Sequence, residues 1–115
     1  MKIAITKVNK TYLQLYQIKL HEYYHYLIAQ TKSGAYEQLC GHLIFMENTH
    51  KVAAIISKKI QQYNTKPLSF KLSITEAIVL QSACNNLNQH DTVEVRAGYQ
   101  FVCDQIHQQI TNIQL

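Results

Sequence analysis

Two short stretches of the chain alternate apolar and polar positions, as half-buried β-strands do. In residues 2–7, Ile3 and Ile5 are separated by small or polar residues, and in residues 68–73 every second position is leucine or phenylalanine. A period of two places all the apolar side chains on one face of a strand. We therefore predict a mainly α fold in which these two segments form a two-stranded β-ribbon, with an all-α fold as the alternative.

The rest of the chain repeats its apolar residues every three or four positions, which is helical spacing. One proline and three glycines are the only strong breakers, so long helices with short connections are expected. Ser33 and Gly34 are expected to end the first helix. The pattern predicts a compact bundle of about five helices, over residues 11–32, 36–47, 48–63, 74–88 and from 91 almost to the C-terminus.

Residues with capping chemistry define where these helices begin. Thr11 is expected to cap the first helix, and Asn48 or Thr49 the third. Ser73 and Glu76 have the spacing of a capping box, in which each side chain accepts a hydrogen bond from the other residue's backbone amide. The same logic, with Asp91 followed by Glu94, predicts the start of the last helix.

The last helix carries the most regular apolar stripe in the chain. Its members are Val95, Tyr99, Val102, Ile106, Ile110 and Ile113. Burying each such side chain contributes roughly 1.5–3 kcal/mol, which exceeds the helix-propensity cost of up to about 0.7 kcal/mol per residue. The stripe is expected to face the protein's own core, and the alternative is that it pairs with the same helix of a second subunit.

Length and composition predict one cytoplasmic domain over residues 1–115. Hydrophobic residues make up 47% of the chain, which argues against disorder. No apolar run approaches the roughly 20 residues of a membrane span, and residues 1–7 lack the apolar stretch of a signal peptide. Three cysteines are an odd number without a C-x-x-C spacing, so reduced thiols are expected.

Charge is unevenly distributed along the chain. Residues 1–71 contain ten Lys and three Glu, a net charge of +7, whereas residues 72–115 contain one Arg and four acidic residues, a net charge of −3. A nucleic-acid partner is not favoured, because base recognition favours the two-pronged guanidinium of Arg over Lys. The expected partner is an unidentified protein or a second copy of this chain.

One motif in the sequence has specific chemistry, the string His21-Glu22-Tyr23-Tyr24-His25 inside the first predicted helix. Positions four residues apart lie one turn apart on the same helix face, so both imidazoles can reach one metal ion. A glutamate beside such a metal is placed to act as the general base for a bound water.

The string resembles the zinc-binding helix of the zincin metallopeptidases. This resemblance implies that His21 and His25 are zinc ligands, that Glu22 is the base, and that a third ligand lies downstream, for which Glu47 is the candidate. The extended family motif is not present, because Ile28 occupies the position of its glycine and a threonine that of its third histidine.

Two functional hypotheses follow. The first is a non-catalytic interaction or structural module without a cofactor, with a homodimer through the last helix as one of its forms. The alternative is a minimal zinc-dependent hydrolase that uses the histidine motif.

Cys103 and His107 also have the spacing of a ligand pair, but Cys103 continues the apolar stripe of the last helix, and we predict that it is a buried thiol.

Overall fold

The computed structural model describes residues 2–31, 36–85 and 91–113. In chain order the elements are β1 (Lys2–Val8), α1 (Lys10–Thr31), α2 (Tyr36–Gln62), β2 (Leu68–Ser73), α3 (Ile74–Asn85) and α4 (Val93–Thr111). The predicted mainly helical fold with a two-stranded ribbon is therefore confirmed, and the all-α alternative is wrong. Within the described ranges, every helix falls short of the combined length and hydropathy that a membrane span requires.

The ribbon is antiparallel, with Ile3 opposite Leu72 and Ile5 opposite Phe70. All four of these side chains are buried, as the period of two predicted. Their shared inward face joins the ribbon to the helices, because alternate side chains of a strand point to the same side.

β1 contains a bulge. It has one more residue than β2 between the pairs that Ile5 and Val8 make with their partners. Lys7 lies in this interval with a φ of 59°, in the left-handed region that glycine usually occupies in a bulge of this kind. A residue with a Cβ atom adopts that region at a cost of about 1–2 kcal/mol.

Side chains from all six elements meet in one core. The largest fully buried ones include Tyr16, Ile3, Ile5, Leu13, Leu20, Ile56, Leu72, Leu80 and Ile106. Tyr16 of α1 donates a hydrogen bond from its hydroxyl to the carbonyl of Gly98 in α4, 2.7 Å away. Burial raises the pKa of Tyr16 far above its usual value, so the hydroxyl remains a donor and links α1 to α4.

α1 and α4 approach each other closely at Gly98. A Cβ atom added there would lie 3.1 Å from side-chain carbons of Tyr12 and Leu15, which is tighter than ordinary van der Waals contact. The absence of a side chain at this position therefore permits the packing that brings α4 against the N-terminal half of α1.

The apolar stripe of α4 faces this core. Tyr99, Val102 and Ile106 are buried, and Val95 and Ile110 pack against them. The expectation that the stripe serves the protein's own core is confirmed for these five residues.

The predicted second and third helices are one continuous helix, α2, so the fold has four described helices rather than five. Asn48 and Thr49 do not begin a helix there. The side-chain amide of Asn48 donates to the carbonyl of Ile44 at 2.9 Å, and the hydroxyl of Thr49 donates to the carbonyl of Phe45 at 2.6 Å. Side chains that bond to the carbonyl four residues earlier are compatible with a helix interior, and that is why the capping signal was misleading.

The first helix also begins differently from the prediction. Asn9, not Thr11, caps α1, because the Asn9 side-chain oxygen accepts a hydrogen bond from the amide of Tyr12 at 2.8 Å. The chain thus enters α1 immediately after β1, and Thr11 is an exposed residue of the first turn.

The two later caps are closer to expectation. The capping box is confirmed, since Ser73 N donates to Glu76 at 2.7 Å and Glu76 N donates to the hydroxyl of Ser73 at 3.1 Å. α4 is capped by Thr92, whose hydroxyl accepts from the amide of Val95 at 3.3 Å, so the prediction was one residue early with Asp91. The predicted break at 33–34 and the predicted helical residues 86–88 lie outside the described residues.

Candidate functional site

The two histidines of the motif lie side by side on the exposed face of α1. Their Nε2 atoms are 3.2 Å apart, and their rings are nearly perpendicular, at 79°. Two imidazoles that bind one tetrahedral zinc ion at 2.0–2.1 Å hold their ligating nitrogens about 3.3 Å apart. The pair His21 and His25 therefore has the nitrogen separation of a two-ligand metal site. Without a metal, the same contact is a hydrogen bond in which one ring donates to the other.

A small cleft between α1 and α2 adjoins His21. Its volume is about 220 Å³, and it is lined by Gln17, Leu20, His21, Tyr24, Thr49, His50 and Ala53. The ring of His50 packs on that of Tyr24 with centroids 4.4 Å apart. Pockets for drug-sized ligands measure about 300–1,000 Å³. This cleft is therefore suited to an ion with its water shell, or to a single side chain, more than to an extended substrate.

The carboxylate of Glu22 is directed toward a lysine on the same helix. Its Oε2 atom lies 3.5 Å from Nζ of Lys19, and its side chain is 57% exposed. A general base must lie within reach of the metal-bound water. In the position observed, Glu22 forms an ion pair with Lys19.

Glu47, the predicted third ligand, is also engaged elsewhere. Its carboxylate lies 3.5 Å from Nζ of Lys51, one turn further along α2, and its side chain is 69% exposed. Across the described residues, no group of three His, Cys, Asp or Glu side chains is arranged to hold a metal ion. The structure thus brings His21 and His25 together and does not bring Glu47 to them.

Sequence reasoning missed a buried lysine beside this site. Lys19 is only 4% exposed, and its Nζ atom lies 3.7 Å from Asp91 and 5.2 Å from the centre of the Tyr99 ring. A buried charge is tolerated when it is paired. The available signal was positional, because Lys19 comes three residues after Tyr16 and four before Tyr23, which places it next to the apolar stripe of α1. Burial, together with the charge of Asp91, raises the pKa of Tyr99 to about 12, so this ring is neutral.

Two thiols lie at the α3–α4 contact. Cys103 is buried, which confirms the prediction of a core thiol, and its Sγ lies 3.4 Å from the side-chain oxygen of Asn85. Its hydrogen bond with Cys84, together with burial, raises the pKa of the Cys84 thiol well above its usual range. The same bond lowers the pKa of Cys103. His107, by contrast, is exposed on α4.

The ribbon offers a second candidate surface, because its two edges differ. The edge of β1 is closed by two glutamines of α4. Gln109 accepts from the amide of Ala4 at 2.9 Å and donates to its carbonyl at 2.6 Å. Gln105 likewise accepts from the amide of Thr6 at 2.9 Å and donates to its carbonyl at 3.0 Å. Each side-chain amide thus occupies the place of a neighbouring strand.

The edge of β2 is open. In an antiparallel pair the residues that bond to the partner alternate with residues that point away from it. The backbone N–H and C=O groups of Ala4 and Thr6 point away from β2. By the same alternation, the backbone groups that point outward on β2 are those of Ser69 and Lys71, and both residues are exposed. No strand lies beyond β2 among the described residues, and the described hydrogen bonds give these two backbone positions no partner there.

Comparison with protein-family models, with curated proteins and with solved structures finds no match to this chain. The function is therefore inferred from the chemistry of its own residues.

Proposed function

We propose that this chain is a non-catalytic binding module and that His21 and His25 form a two-histidine site for a divalent transition metal ion. The observation that supports the proposal is the 3.2 Å separation of the two Nε2 atoms. Imidazole nitrogen suits zinc, copper and nickel. The remaining coordination positions would be taken by water or by a group from a partner.

The helix prearranges the two ligands. Both histidines are on one face of α1, one turn apart, and the described residues of that helix are continuous from Lys10 to Thr31. Each ring is exposed, so a hydrated ion can reach both nitrogens. Binding a metal would replace the hydrogen bond between the rings, and it requires both imidazoles to be neutral.

The test is a calorimetric titration of tag-free protein with Cu²⁺ and with Zn²⁺ at neutral pH. We expect saturable one-to-one binding, with Cu²⁺ bound more tightly than Zn²⁺, and loss of this binding in His21→Ala and in His25→Ala. His107→Ala is the matched control, since it removes an exposed histidine from α4 and should leave binding unchanged.

A rescue variant tests the geometry itself. Ala29 is exposed and lies one turn after His25, so adding Ala29→His to His21→Ala recreates a pair with spacing four. Metal binding should return in this double variant. Binding should also weaken as the solution is made more acidic, because protons compete with the metal ion for the imidazole nitrogens. Equal metal affinity in the wild type and in His25→Ala would refute the site.

The zinc-dependent hydrolase is the second candidate, and the observation that favours it is the cleft beside His21, whose volume of about 220 Å³ would accept one side chain of a peptide. It requires Glu22 to leave the buried Lys19 and turn toward the metal, and Asp91 would remain as a carboxylate partner of that lysine. In this case zinc-loaded protein should cleave peptides, and Glu22→Gln should abolish cleavage while metal stays bound. Cleavage that persists in Glu22→Gln, or that fails in the zinc-loaded wild type, would remove this candidate.

The proposed location is the cytoplasm, and the proposed partner is a protein or a second copy of the chain. All three cysteines are free thiols, two of them buried. Reduced thiols are the ordinary state of cysteine in a reducing compartment, which supports this location.

A further inference from the structure

The open edge of β2 is short and has defined ends. Pro67 precedes the strand and has no amide hydrogen to donate. At the other end, the amide of Ser73 is already bonded to Glu76. Between these ends, Ser69 and Lys71 present two outward amides and two outward carbonyls. This is the pattern that an added strand of a few residues would pair with.

The ribbon is uniformly basic. Residues 2–10 and 64–74 contain five lysines and no aspartate or glutamate. Lys71 is exposed on the edge strand itself, opposite Ala4 of β1. A strand that carries acidic side chains would gain favourable cross-strand charge pairs when it docks here.

The same charge disfavours self-association. Two copies of β2 that paired through their open edges would bring lysines of the two copies close to each other, and like charges in neighbouring strands are destabilising. Lysine on an edge strand is a common protection against such pairing. The edge therefore discriminates by charge, because it repels a second copy and attracts an acidic strand.

We propose that the open edge of β2 binds an extended acidic segment of a partner protein, which adds to the ribbon as a third strand. The backbone groups of Ser69 and Lys71 would supply the hydrogen bonds, and the lysine side chains the preference for acidic sequences. The inference rests on the proposal that the chain is an interaction module, and it does not depend on the histidine site.

The experiment is a selection from a displayed library of random seven-residue peptides on the full chain, with chelator present throughout. The selected peptides should be enriched in Asp and Glu that alternate with β-branched residues. When a selected peptide is titrated into labelled protein, the amide resonances of Ser69 and Lys71 should shift and their hydrogen exchange should slow.

Two variants at one position separate backbone pairing from charge. Lys71→Pro removes the outward amide, and the fold tolerates it because that amide makes no bond within the sheet. It should abolish peptide binding. Lys71→Ala keeps the amide and removes the charge, so binding should weaken and the acidic preference should decline. The dispersion of the amide spectrum shows whether each variant is folded.

Three results of the peptide experiments would overturn the inference. They are selected peptides without acidic enrichment, unchanged peptide binding by folded Lys71→Pro, and shifts confined to residues outside β2. Concentration-dependent dimerisation through β2 would also overturn it in favour of self-pairing. Because chelator is present, these outcomes are independent of metal binding at His21 and His25, so failure of one proposal is distinguishable from failure of the other.

Discussion

The two edges of the ribbon differ in what bonds to their outward backbone groups. On β1, the outward backbone groups of Ala4 and Thr6 are satisfied by Gln109 and Gln105 of α4. On β2, the outward groups of Ser69 and Lys71 have no hydrogen-bond partner among the described residues, and both residues are exposed. One edge is closed by side chains of the same chain, and the other is left to solvent or to a partner.

The closed edge depends on a match between two periodicities. Residues four apart on a helix are separated by about 6 Å along its axis. Alternate residues of a strand are separated by about 6.6–6.8 Å. Gln105 and Gln109 can therefore each reach one of the outward positions of β1. No helix offers such a pair to β2 among the described residues, and its edge stays open.

Proline substitutions should produce the largest difference in stability, because some positions of β2 bond to β1 and others have their amide on the open edge. Leu72 is buried and faces Ile3, so Leu72→Pro removes a ladder hydrogen bond as well as burial. Loss of a buried leucine side chain alone costs about 2–5 kcal/mol, and we expect the variant to be largely unfolded. Lys71→Pro removes no ladder hydrogen bond and no buried side chain, so its loss in the free energy of unfolding should be much smaller than that of Leu72→Pro. Urea denaturation measures both, and similar losses would show that the edge is not open.

The ribbon could be predicted from the sequence because its period of two is local. The difference between its edges could not, since Gln105 and Gln109 look like ordinary exposed positions until α4 is placed beside β1. Their partners lie about 100 residues earlier in the chain. Contacts of this separation depend on the packing of the whole core, which no local pattern encodes.

In the candidate metal site, too, local features could be predicted from the sequence and long-range contacts could not. The proximity of His21 and His25 follows from helical spacing and was predicted. The ion pairs of Glu22 and of Glu47 are also local, but lysine and glutamate three or four residues apart are common on helices and gave no functional signal. The burial of Lys19 depends on α3 and α4, and its partner Asp91 is distant in sequence, so the prediction missed it.

Removing one of the edge-closing glutamines should have the next largest effect. In Gln109→Ala the amide and carbonyl of Ala4 lose their partners in a partly buried setting. An unsatisfied buried polar group costs about 1–3 kcal/mol, and we expect a destabilisation of that order by urea denaturation. Gln108→Ala, one residue away on the exposed side of α4, is the control and should be neutral. A neutral Gln109→Ala would mean that water closes this edge equally well.

The capping box at the end of β2 should contribute less to the free energy of unfolding. Ser73→Ala removes the oxygen that accepts from the amide of Glu76, a loss of about 0.5–2 kcal/mol for an N-cap. Ser69→Ala serves as the matched control, because its side chain is exposed on the same strand. The difference between the two melting temperatures reports how firmly α3 fixes the end of the open edge. Equal melting temperatures would show that the box does not.

The smallest effect is expected at the bulge, and it should be stabilising. Lys7 holds a left-handed φ, which costs about 1–2 kcal/mol relative to glycine. Glycine in turn loses about 0.5–1 kcal/mol more than other residues through the entropy of the unfolded chain. Lys7→Gly should therefore raise the free energy of unfolding by up to about 1.5 kcal/mol. Lys7→Ala removes the same charge but keeps the Cβ atom, so it should gain nothing. If both variants gained equally, charge repulsion within the basic ribbon, rather than backbone strain at the bulge, would be the cost that the native chain carries at this position.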